Sequence, residues 1–359
     1  MDESDRRIVI LGKTGVGKSS LANTIFGEEL FKAISSAKSG TSKCQAETRS
    51  VNGRSITLID TPGFFDTDKS EEELKSEIIR CIIECAPGPH AFLIVFKVEK
   101  YTVQEEAVIK KISQFFSEEV FKYATVLFTH GDQLEEGQTI EDFVQQNQLA
   151  RDLLKKCGGR CHVIDNKYWK NNQQDEYRSN QFQVKELLKT IDEMVEANEG
   201  SCYTNEMLQA VEEQIQQEEK LIRQSSGNMS KEEVRKQAKD GQFNKLMIKL
   251  AGITTGVLLG ALFGTVTMVA EVLLVLKERL TAKGAAEVVG GAAVVGAMAA
   301  VFIAVGAVKG GVAGYHAAEG ADTAWEAAQR AAEAVKDQAL APWEELLSKN
   351  KNPHSKKGN

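Results

Sequence analysis

The sequence lacks an excess of positive charge and has little cysteine. Its 359 residues carry 44 Lys and Arg against 51 Asp and Glu, a formal net charge of −7. Nonspecific nucleic-acid binding depends on basic side chains that neutralise phosphates, so this balance predicts no nucleic-acid partner. Six scattered cysteines in a chain of this length predict reduced thiols rather than a disulfide framework.

Targeting signals are also missing from the sequence. Residues 1–7 are mixed in charge and precede no signal-type apolar stretch, so we expect no secretory signal. The sequence does not begin with Met-Gly and does not end in a prenylation motif, which predicts no covalent lipid anchor.

Changes in composition divide the chain into four predicted regions. Residues 1–200 alternate short apolar runs with amphipathic stretches, and residues 201–245 are polar with a helical pattern. Residues 246–316 are rich in Gly, Ala and Val and carry little charge. Residues 317–359 predict an Ala/Glu-rich helix and a basic, disordered tail.

Strand and helix patterns alternate within residues 1–200. This alternation predicts an α/β fold with a six-stranded, mostly parallel sheet and helices on both faces. Asn52-Gly53 lies between two strand patterns and predicts one antiparallel hairpin. The predicted strands are 6–11, 46–51, 54–60, 91–98, 123–128 and 161–164, and the predicted helices are about 18–27, 71–85, 103–116, 138–156 and 182–198.

A phosphate-binding loop follows the first predicted strand. Residues 12–19 fit G-x-x-x-x-G-K-[ST] and open a predicted helix, the context that this motif requires. We expect Lys18 to reach the β and γ phosphates, Ser19 to bind Mg²⁺, and backbone N–H groups to contact the phosphate oxygens. The predicted nucleotide-binding residues of this loop are Gly12, Lys13, Thr14, Gly15, Val16, Gly17, Lys18, Ser19 and Ser20. Together with the alternating pattern, the loop predicts a Ras-like G domain.

A D-x-x-G motif begins at Asp60, at the end of the third predicted strand. A carboxylate at this edge of the sheet can hold Mg²⁺ through water. The backbone N–H of Gly63 can then sense the γ-phosphate, so residues 63–72 are predicted to form a switch, switch II.

Base recognition is predicted to fall on two loops. Residues 129–132 read Thr-His-Gly-Asp at the position where G proteins carry Asn-Lys-x-Asp, whose Asp accepts hydrogen bonds from the guanine N1–H and 2-amino groups. Adenine cannot offer that pair of donors, so Asp132 is the candidate for base choice, and His130 lies beside it. Asn166 follows the last predicted strand and is the second candidate, with an ordinary Asx turn as the alternative.

These motifs together resemble the immunity-associated GTPases, the GIMAP family. The resemblance rests on residues 12–27, 39–45, 60–67, 99–102 and 128–132, and the Thr-His-Gly-Asp variant is similar to that of fish members. It implies GTP or GDP with Mg²⁺ as cofactors, and it implies Thr41 as a ligand of Mg²⁺ and the γ-phosphate in a switch I of about residues 32–45. It also implies an immune function and homodimers or oligomers assembled through G-domain faces, as in septins and chloroplast import GTPases.

Two departures from related GTPases affect the expected hydrolysis. Phe64 stands where Ras has the Gln that orients the attacking water. Some relatives donate an Arg across a dimer from a Gly-Arg-Tyr-Thr box, but here Lys100 keeps the charge without the planar fork. The resemblance therefore implies slow hydrolysis, with Lys18, Thr41 and Lys100 as candidate catalytic residues; for Lys100, a surface lysine is the alternative.

The region 246–316 contains two charge-free stretches, 250–270 and 288–308. A 21-residue helix spans ~31 Å, close to the ~30 Å hydrocarbon core of a bilayer. Glycines at 252, 256, 260 and 264 predict close helix packing, and six basic residues precede the first stretch. We therefore predict a membrane hairpin that holds the G domain on the cytosolic face of an intracellular membrane. A re-entrant hairpin, an interfacial hairpin and a soluble Gly/Ala-rich hairpin or oligomerisation rod are the alternatives.

Residues 203–222 have apolar side chains at helical spacing and are predicted to fold back on the G domain, with a partner-binding coiled coil as the alternative.

Three functions follow from the whole sequence. The first is a GTP-regulated membrane scaffold or switch with slow turnover. The second is an efficient GTP hydrolase completed by Lys100 or an outside group. The third is a membrane-remodelling or pore-forming protein whose effector is the hairpin.

Overall fold

The computed structural model describes residues 5–32, 43–64, 70–100, 103–169, 175–225 and 229–277. Several sequence predictions lie outside these residues. They are Thr41 with most of switch I, residues 65–69 of switch II, the second apolar stretch at 288–308, and the helix and tail at 317–359.

Six strands form one sheet in the order β2-β3-β1-β4-β5-β6. All neighbouring pairs are parallel except β2 and β3, which form an antiparallel hairpin. Its turn is Asn52-Gly53, with φ of 51° and 79°. The strands are β1 (Asp5–Leu11), β2 (Gln45–Val51), β3 (Arg54–Asp60), β4 (Ala91–Lys97), β5 (Ala124–Thr129) and β6 (Cys161–Val163). The predicted six-stranded, mostly parallel sheet is therefore confirmed.

In the part of residues 5–200 that the structure describes, seven α-helices accompany the sheet. They are α1 (Lys18–Phe26), α2 (Glu71–Cys85), α3 (Val103–Phe115), α4 (Glu118–Lys122), α5 (Ile140–Val144), α6 (Gln148–Lys156) and α7 (Asn180–Ala197). The single helix predicted over 138–156 is wrong, because the chain leaves the helix after Val144 and starts again at Gln148. Asn147 caps the second helix by accepting a hydrogen bond from the backbone N–H of Ala150 at 3.0 Å.

The sheet carries an apolar core on each face. Ile8 and Ile10 of β1 share one buried cluster with residues of α1 and α7. Val9 and Leu11 share the other with residues of α2 and α3. Because successive side chains of a strand point to opposite faces, the near-continuous apolar runs of β1 and β4 are the pattern of strands covered on both sides.

Among the described residues after 200, four further helices follow the G domain. They are α8 (Glu206–Ser225), α9 (Lys231–Lys249), α10 (Thr255–Leu262) and α11 (Val266–Lys277). Helices α8, α9 and α10 all pack against α2, so the stretch predicted to fold back on the G domain does so. The Arg235 guanidinium lies 2.7 Å from Glu212 and 2.9 Å from Glu219, and Lys239 of α9 lies 2.7 Å from Glu84 of α2.

The single long helix predicted over 250–270 is wrong. Gly264 adopts φ 81°, in the left-handed region, and the N–H of Thr265 donates to the carbonyl of Gly260 at 2.7 Å, which closes a helix C-terminus. Helices α10 and α11 therefore meet at a bend of 107°. Each helix of the described residues is too short or too polar to span a bilayer alone, whereas α10 and α11 together have sufficient length and apolar composition.

The close packing predicted from four glycines on one helix is also wrong in part, because Gly264 follows the end of α10 and Gly252 precedes its start. Gly260 still allows a close helix contact, since an added Cβ would lie 1.9 Å from the sulfur of Met268 on α11. The middle of the first apolar stretch, residues 258–263, is buried against the protein. Phe263 is 0% exposed, and its ring centre lies 4.4 Å from that of Phe116.

Candidate nucleotide-binding site

The carboxyl ends of the parallel strands bring the predicted site residues to one edge of the sheet. Ile10, just before the phosphate-binding loop, pairs with Asp60 at the end of β3. Lys97 at the end of β4 pairs with Thr129 at the end of β5. Ligands of open α/β sheets bind at this edge, so the candidate residues of three loops share one location.

The phosphate-binding loop needs its glycines. A Cβ added to Gly12 would lie 2.5 Å from the carbonyl oxygen of Val95 on β4. Gly17 adopts φ 88°, and a Cβ there would lie 2.8 Å from the Asn166 amide nitrogen. Gly15 also has positive φ, at 81°. These positions demand glycine for backbone conformation or for close approach, as expected of a loop whose N–H groups converge on an anion.

Lys18 and Lys13 have different surroundings. Lys18 is 5% exposed, and its Nζ donates to the carbonyl oxygens of Gly12 and Lys13, both at 3.0 Å, so its charge lies inside the loop. The Nζ of Lys13 instead lies 3.1 Å from the carboxylate of Glu105 on α3. The side chain of Lys13 thus ties the loop to α3, whereas the Lys18 ammonium stays within the loop. Thr14, Val16 and Ser20 lie in the same loop and the first turn of α1.

Ser19 and Asp60 form the candidate metal site. The Ser19 hydroxyl donates to the Asp60 carboxylate at 2.5 Å, and both side chains are buried. A hydroxyl and a carboxylate are hard oxygen donors of the kind Mg²⁺ prefers, and they lie at the end of the phosphate-binding loop. The donor set therefore fits Mg²⁺.

The D-x-x-G segment is tied to the sheet. The Thr61 hydroxyl donates to the carbonyl of Ile10 at 2.6 Å, which fixes the segment that leads to Gly63. Phe64 is 3% exposed and belongs to the same buried cluster as Ile78 and Ile82 of α2. The side chain that follows Gly63 is therefore part of the core and carries no polar group that could orient water.

The two predicted base-reading loops lie next to each other. His130 adopts φ 60°, and its Nδ1 lies 3.0 Å from the Thr129 hydroxyl. Asp132 is partly buried and accepts a hydrogen bond from the Gln133 amide at 2.6 Å. Asn166 donates to the carbonyl of Gly17 at 3.3 Å and accepts from the Thr24 hydroxyl at 3.1 Å. Asn166 therefore contacts the phosphate-binding loop and helix α1.

The Asx turn proposed as the alternative for Asn166 is made by its neighbour. Asp165 is 2% exposed, and its carboxylate accepts hydrogen bonds from the backbone N–H groups of Lys167, at 2.9 Å, and Tyr168. No motif in the sequence marks Asp165, because an acidic residue before a candidate base ligand carries no pattern of its own. The sequence feature that could have pointed to Asp165 is its position, a carboxylate directly after a buried strand.

Lys100 follows β4 at the same edge of the sheet and is exposed. The N–H of Val98, two residues before it, donates to the carbonyl of Thr129 at 3.0 Å, so this segment lies beside the base-reading loop. An exposed lysine on this edge can be presented to a second molecule.

A mostly parallel sheet with a phosphate-binding loop after β1, a buried carboxylate after β3 and two adjoining loops after β5 and β6 defines a P-loop G domain. The chain belongs to the AIG1 family, whose model matches residues 6–224.

Relatives of known name occur in plants and mammals. Immune-associated nucleotide-binding protein 13 of Arabidopsis thaliana is 29% identical over 241 residues, which are 66% of this chain and 70% of that protein. Immune-associated nucleotide-binding protein 8 of the same plant is 35% identical over 59% of this chain and 60% of its own length. GTPase IMAP family member 8 of Rattus norvegicus is 32% identical over 52% of this chain, but only 28% of that longer protein is matched.

Among solved structures, Toc33 from Arabidopsis thaliana in complex with GDP and Mg²⁺ aligns over 56% of this chain and 88% of its own length. The TM-score is 0.44 and the sequence identity is 21%.

Proposed function

We propose that this protein binds GTP and GDP with Mg²⁺ and hydrolyses GTP slowly. Two features of the phosphate-binding loop support this most strongly. Its glycine-rich backbone surrounds the buried Lys18, and at its end the Ser19 hydroxyl donates a 2.5 Å hydrogen bond to Asp60. The names of the relatives, nucleotide-binding proteins and a GTPase, point the same way.

Each part of the site has a role in this proposal. Lys18 exchanges its contacts with loop carbonyls for phosphate oxygens and stabilises their charge. Ser19 and Asp60, with Thr41 from switch I, would hold Mg²⁺, which offsets the phosphate charge when it is bound. The backbone N–H of Gly63 senses the γ-phosphate at the start of switch II.

Guanine is selected by Asp132, whose carboxylate accepts hydrogen bonds from the N1–H and 2-amino groups. Asn166 reaches the base from the facing loop, and His130 shapes the turn that carries Asp132. A site that accepts hydrogen bonds from both donors rejects adenine strongly, because adenine would leave a partly buried carboxylate without hydrogen-bond donors.

Slow hydrolysis follows from what surrounds the γ-phosphate position. Phe64 is buried, so the residue after Gly63 cannot orient water. Lys100 is exposed, and in this proposal it acts across a G-domain homodimer. Dimer-dependent turnover is therefore the form of catalysis that we propose.

The helical extension, formed by α8 to α11, gives the G domain a second surface that responds to nucleotide. Helix α2 follows switch II directly and packs against α8, α9 and α10. We propose that the protein is a nucleotide-controlled scaffold or switch with an immune role, held at the cytosolic face of an intracellular membrane by part of residues 246–316. Because residues 258–263 of the first apolar stretch are buried against the G domain, we assign the membrane contact to residues after 277.

Calorimetric binding to the full chain with Mg²⁺ tests the nucleotide assignment. GTP and GDP should bind, ATP should bind far more weakly, Lys18→Ala should abolish binding, and Asp132→Ala should reduce only the preference for guanine. Equal affinities for ATP and GTP in the wild-type protein would contradict the base assignment.

Turnover measured against protein concentration tests the role of Lys100. The rate per molecule should rise with concentration, and Lys100→Ala should remove that rise, while Lys110→Ala, which changes an exposed lysine of α3, should not. A rate independent of concentration in the wild-type protein would refute dimer-dependent catalysis.

Flotation of the full chain with liposomes tests the membrane proposal, which fails if no protein floats with either nucleotide.

A further inference from the structure

Strand β2 ends the sheet, so in the described part of the chain its outer edge pairs with no other strand. The strand is seven residues long, and its residues Gln45, Thr48 and Ser50 are exposed. An edge strand presents unpaired backbone N–H and C=O groups, which makes it a template for pairing with another chain. The strand at the opposite edge, β6, has only three residues, so β2 is the longer of the two edges.

The turn of the β2–β3 hairpin decides which backbone groups of β2 point outward. Val51 and Arg54 flank the two-residue turn and therefore form a hydrogen-bonded pair. Because hydrogen-bonded and non-hydrogen-bonded pairs alternate, Thr48 and Thr57 are a non-hydrogen-bonded pair. Two contacts agree with this geometry: the hydroxyls of Thr48 and Thr57 lie 2.8 Å apart, and the Thr48 carbonyl accepts a hydrogen bond from the Arg49 guanidinium at 2.7 Å. The N–H and C=O groups of residues 46, 48 and 50 therefore face the outer edge.

The side chains of β2 make this edge complementary to itself. Glu47 and Arg49 lie on the same face of the strand, on either side of Thr48. When two copies of β2 pair antiparallel about a two-fold axis at Thr48, Glu47 of each copy lies opposite Arg49 of the other. The outward backbone groups of residues 46, 48 and 50 then meet those of residues 50, 48 and 46 in the second copy. The oppositely charged side chains fall in the non-hydrogen-bonded pairs, whose Cα atoms lie only about 4.5 Å apart.

Charge selects this register over its neighbours. An axis at Glu47 would place two glutamates opposite each other, and an axis at Arg49 would place two arginines opposite each other. Like charges directly opposite destabilise a strand pair, whereas opposite charges stabilise it. Within one molecule the Arg49 guanidinium lies 3.6 Å from Glu28 and 3.8 Å from Glu47, and all three side chains are partly exposed. Exposed ion pairs of this kind are weak, so Arg49 can exchange them for a partner in a second copy.

We propose that β2 is an interface between two copies of this chain, in which the two edge strands pair antiparallel about an axis at Thr48. The interface runs along the outer side of β2, whereas the nucleotide site lies at the carboxyl ends of the parallel strands. It is therefore separate from the homodimer in which Lys100 acts, and the two proposals fail independently.

Cysteine cross-linking of the full chain tests the position of the axis. Thr48→Cys places two thiols opposite each other, with Cα atoms about 5.5 Å apart, a distance that a disulfide spans. Ser50→Cys is the matched control, because residue 50 is also exposed but lies about 13 Å from its counterpart in this register. After mild oxidation, we expect at least about fivefold more cross-linked dimer from Thr48→Cys than from Ser50→Cys.

Two outcomes of the cross-linking would overturn the proposal. Equal yields from Thr48→Cys and Ser50→Cys would show random collision. A yield from Thr48→Cys no higher than that of the wild-type chain, which keeps its six native cysteines, would show that β2 does not pair with itself. An extended segment of a different protein would then be the remaining occupant of the edge.

Exchange of the two charges tests the register, with Thr48→Cys present in every chain. Glu47→Arg places arginines opposite arginines, and Arg49→Glu places glutamates opposite glutamates, so each variant alone should form about tenfold less dimer or lower. An equimolar mixture of the two variants restores opposite charges at both pairs, and so does the double variant. Both should recover the yield of Thr48→Cys alone. Because mixing cannot repair a folding defect, a mixture that yields no more dimer than either variant alone would overturn the proposal.

A proline at position 48 tests the backbone pairing and leaves both charges in place. The N–H of Thr48 faces outward, so Thr48→Pro removes a hydrogen-bond donor of the interface and none of the β2–β3 ladder. Thr48→Val is the matched control, because it also loses the hydroxyl contact with Thr57 but keeps the N–H. In sedimentation velocity with GDP and Mg²⁺, Thr48→Val should dimerise with rising concentration as the wild type does, and Thr48→Pro should not. The same behaviour for both variants would overturn the proposal.

Discussion

Replacing Phe263 with alanine tests whether the first apolar stretch is part of the G domain's core. Phe263 is 0% exposed, and its ring contacts Phe116 at 4.4 Å and Phe92 at 6.0 Å between ring centres. Truncating a fully buried Phe costs about 3–5 kcal/mol, from lost apolar burial and the cavity left behind. Because domains are stable by about 5–15 kcal/mol, this loss is a large part of the free energy of unfolding.

The measurement is urea unfolding of the full chain, followed by circular dichroism, for the wild type and Phe263→Ala. Val266→Ala is the matched control, because Val266 begins α11 three residues later and is 81% exposed. We expect the control to change the free energy of unfolding by less than about 0.5 kcal/mol. If Phe263→Ala is as stable as the control, α10 is not part of the core, and a membrane location for residues 250–270 regains support.

Three further predictions concern pH, water and the phosphate loop. Burial, and then Arg7 and Arg6, lower the pKa of His90 to about 3, and burial lowers that of His162 to about 4. Both histidines stay neutral in the folded protein. As the pH is lowered below about 6.5, the free energy of unfolding should therefore decrease by up to about 1.4 kcal/mol per pH unit for each histidine. Urea unfolding of His162→Gln should depend less on pH than that of the wild type. Phe64→Gln should lower stability by about 1–3 kcal/mol without raising single-turnover hydrolysis, because the amide enters an apolar core; faster turnover at unchanged stability would contradict this. Gly17→Ala should weaken GTP binding at least about tenfold in calorimetry through backbone strain and a steric clash, whereas Gly159→Ala, which has similar φ but open space, should not.

The G domain could be predicted from the sequence because its signals are local. The apolar strands, the Asn52-Gly53 turn and the phosphate-binding loop each carry their own pattern, and parallel pairing then brings the loops to one edge. The boundary errors are also local: the predicted helix over 138–156 missed the cap at Asn147, which looks like any polar residue on a helix surface.

The extension could not be predicted in the same way. A charge-free stretch has the same composition whether it is covered by lipid or by α2, and only tertiary packing decides between them. Gly264 was counted in a four-residue repeat, but its positive φ ends α10. In the candidate site, Trp169 covers Gly131 between two loops that are more than thirty residues apart in the chain, and the sequence holds no pattern for that contact.

Helix α2 is enclosed by the rest of the protein along most of its length, since none of its residues from Glu77 onward is exposed. One side faces the sheet and the other faces the helices of the extension. A rigid shift of this helix by even one ångström would have to displace atoms on both sides, because close-packed interiors have few alternative arrangements. In the proposed switch, a movement of α2 between nucleotide states would also have to rearrange the C-terminal helices, so altering those helices should change nucleotide affinity without touching the nucleotide.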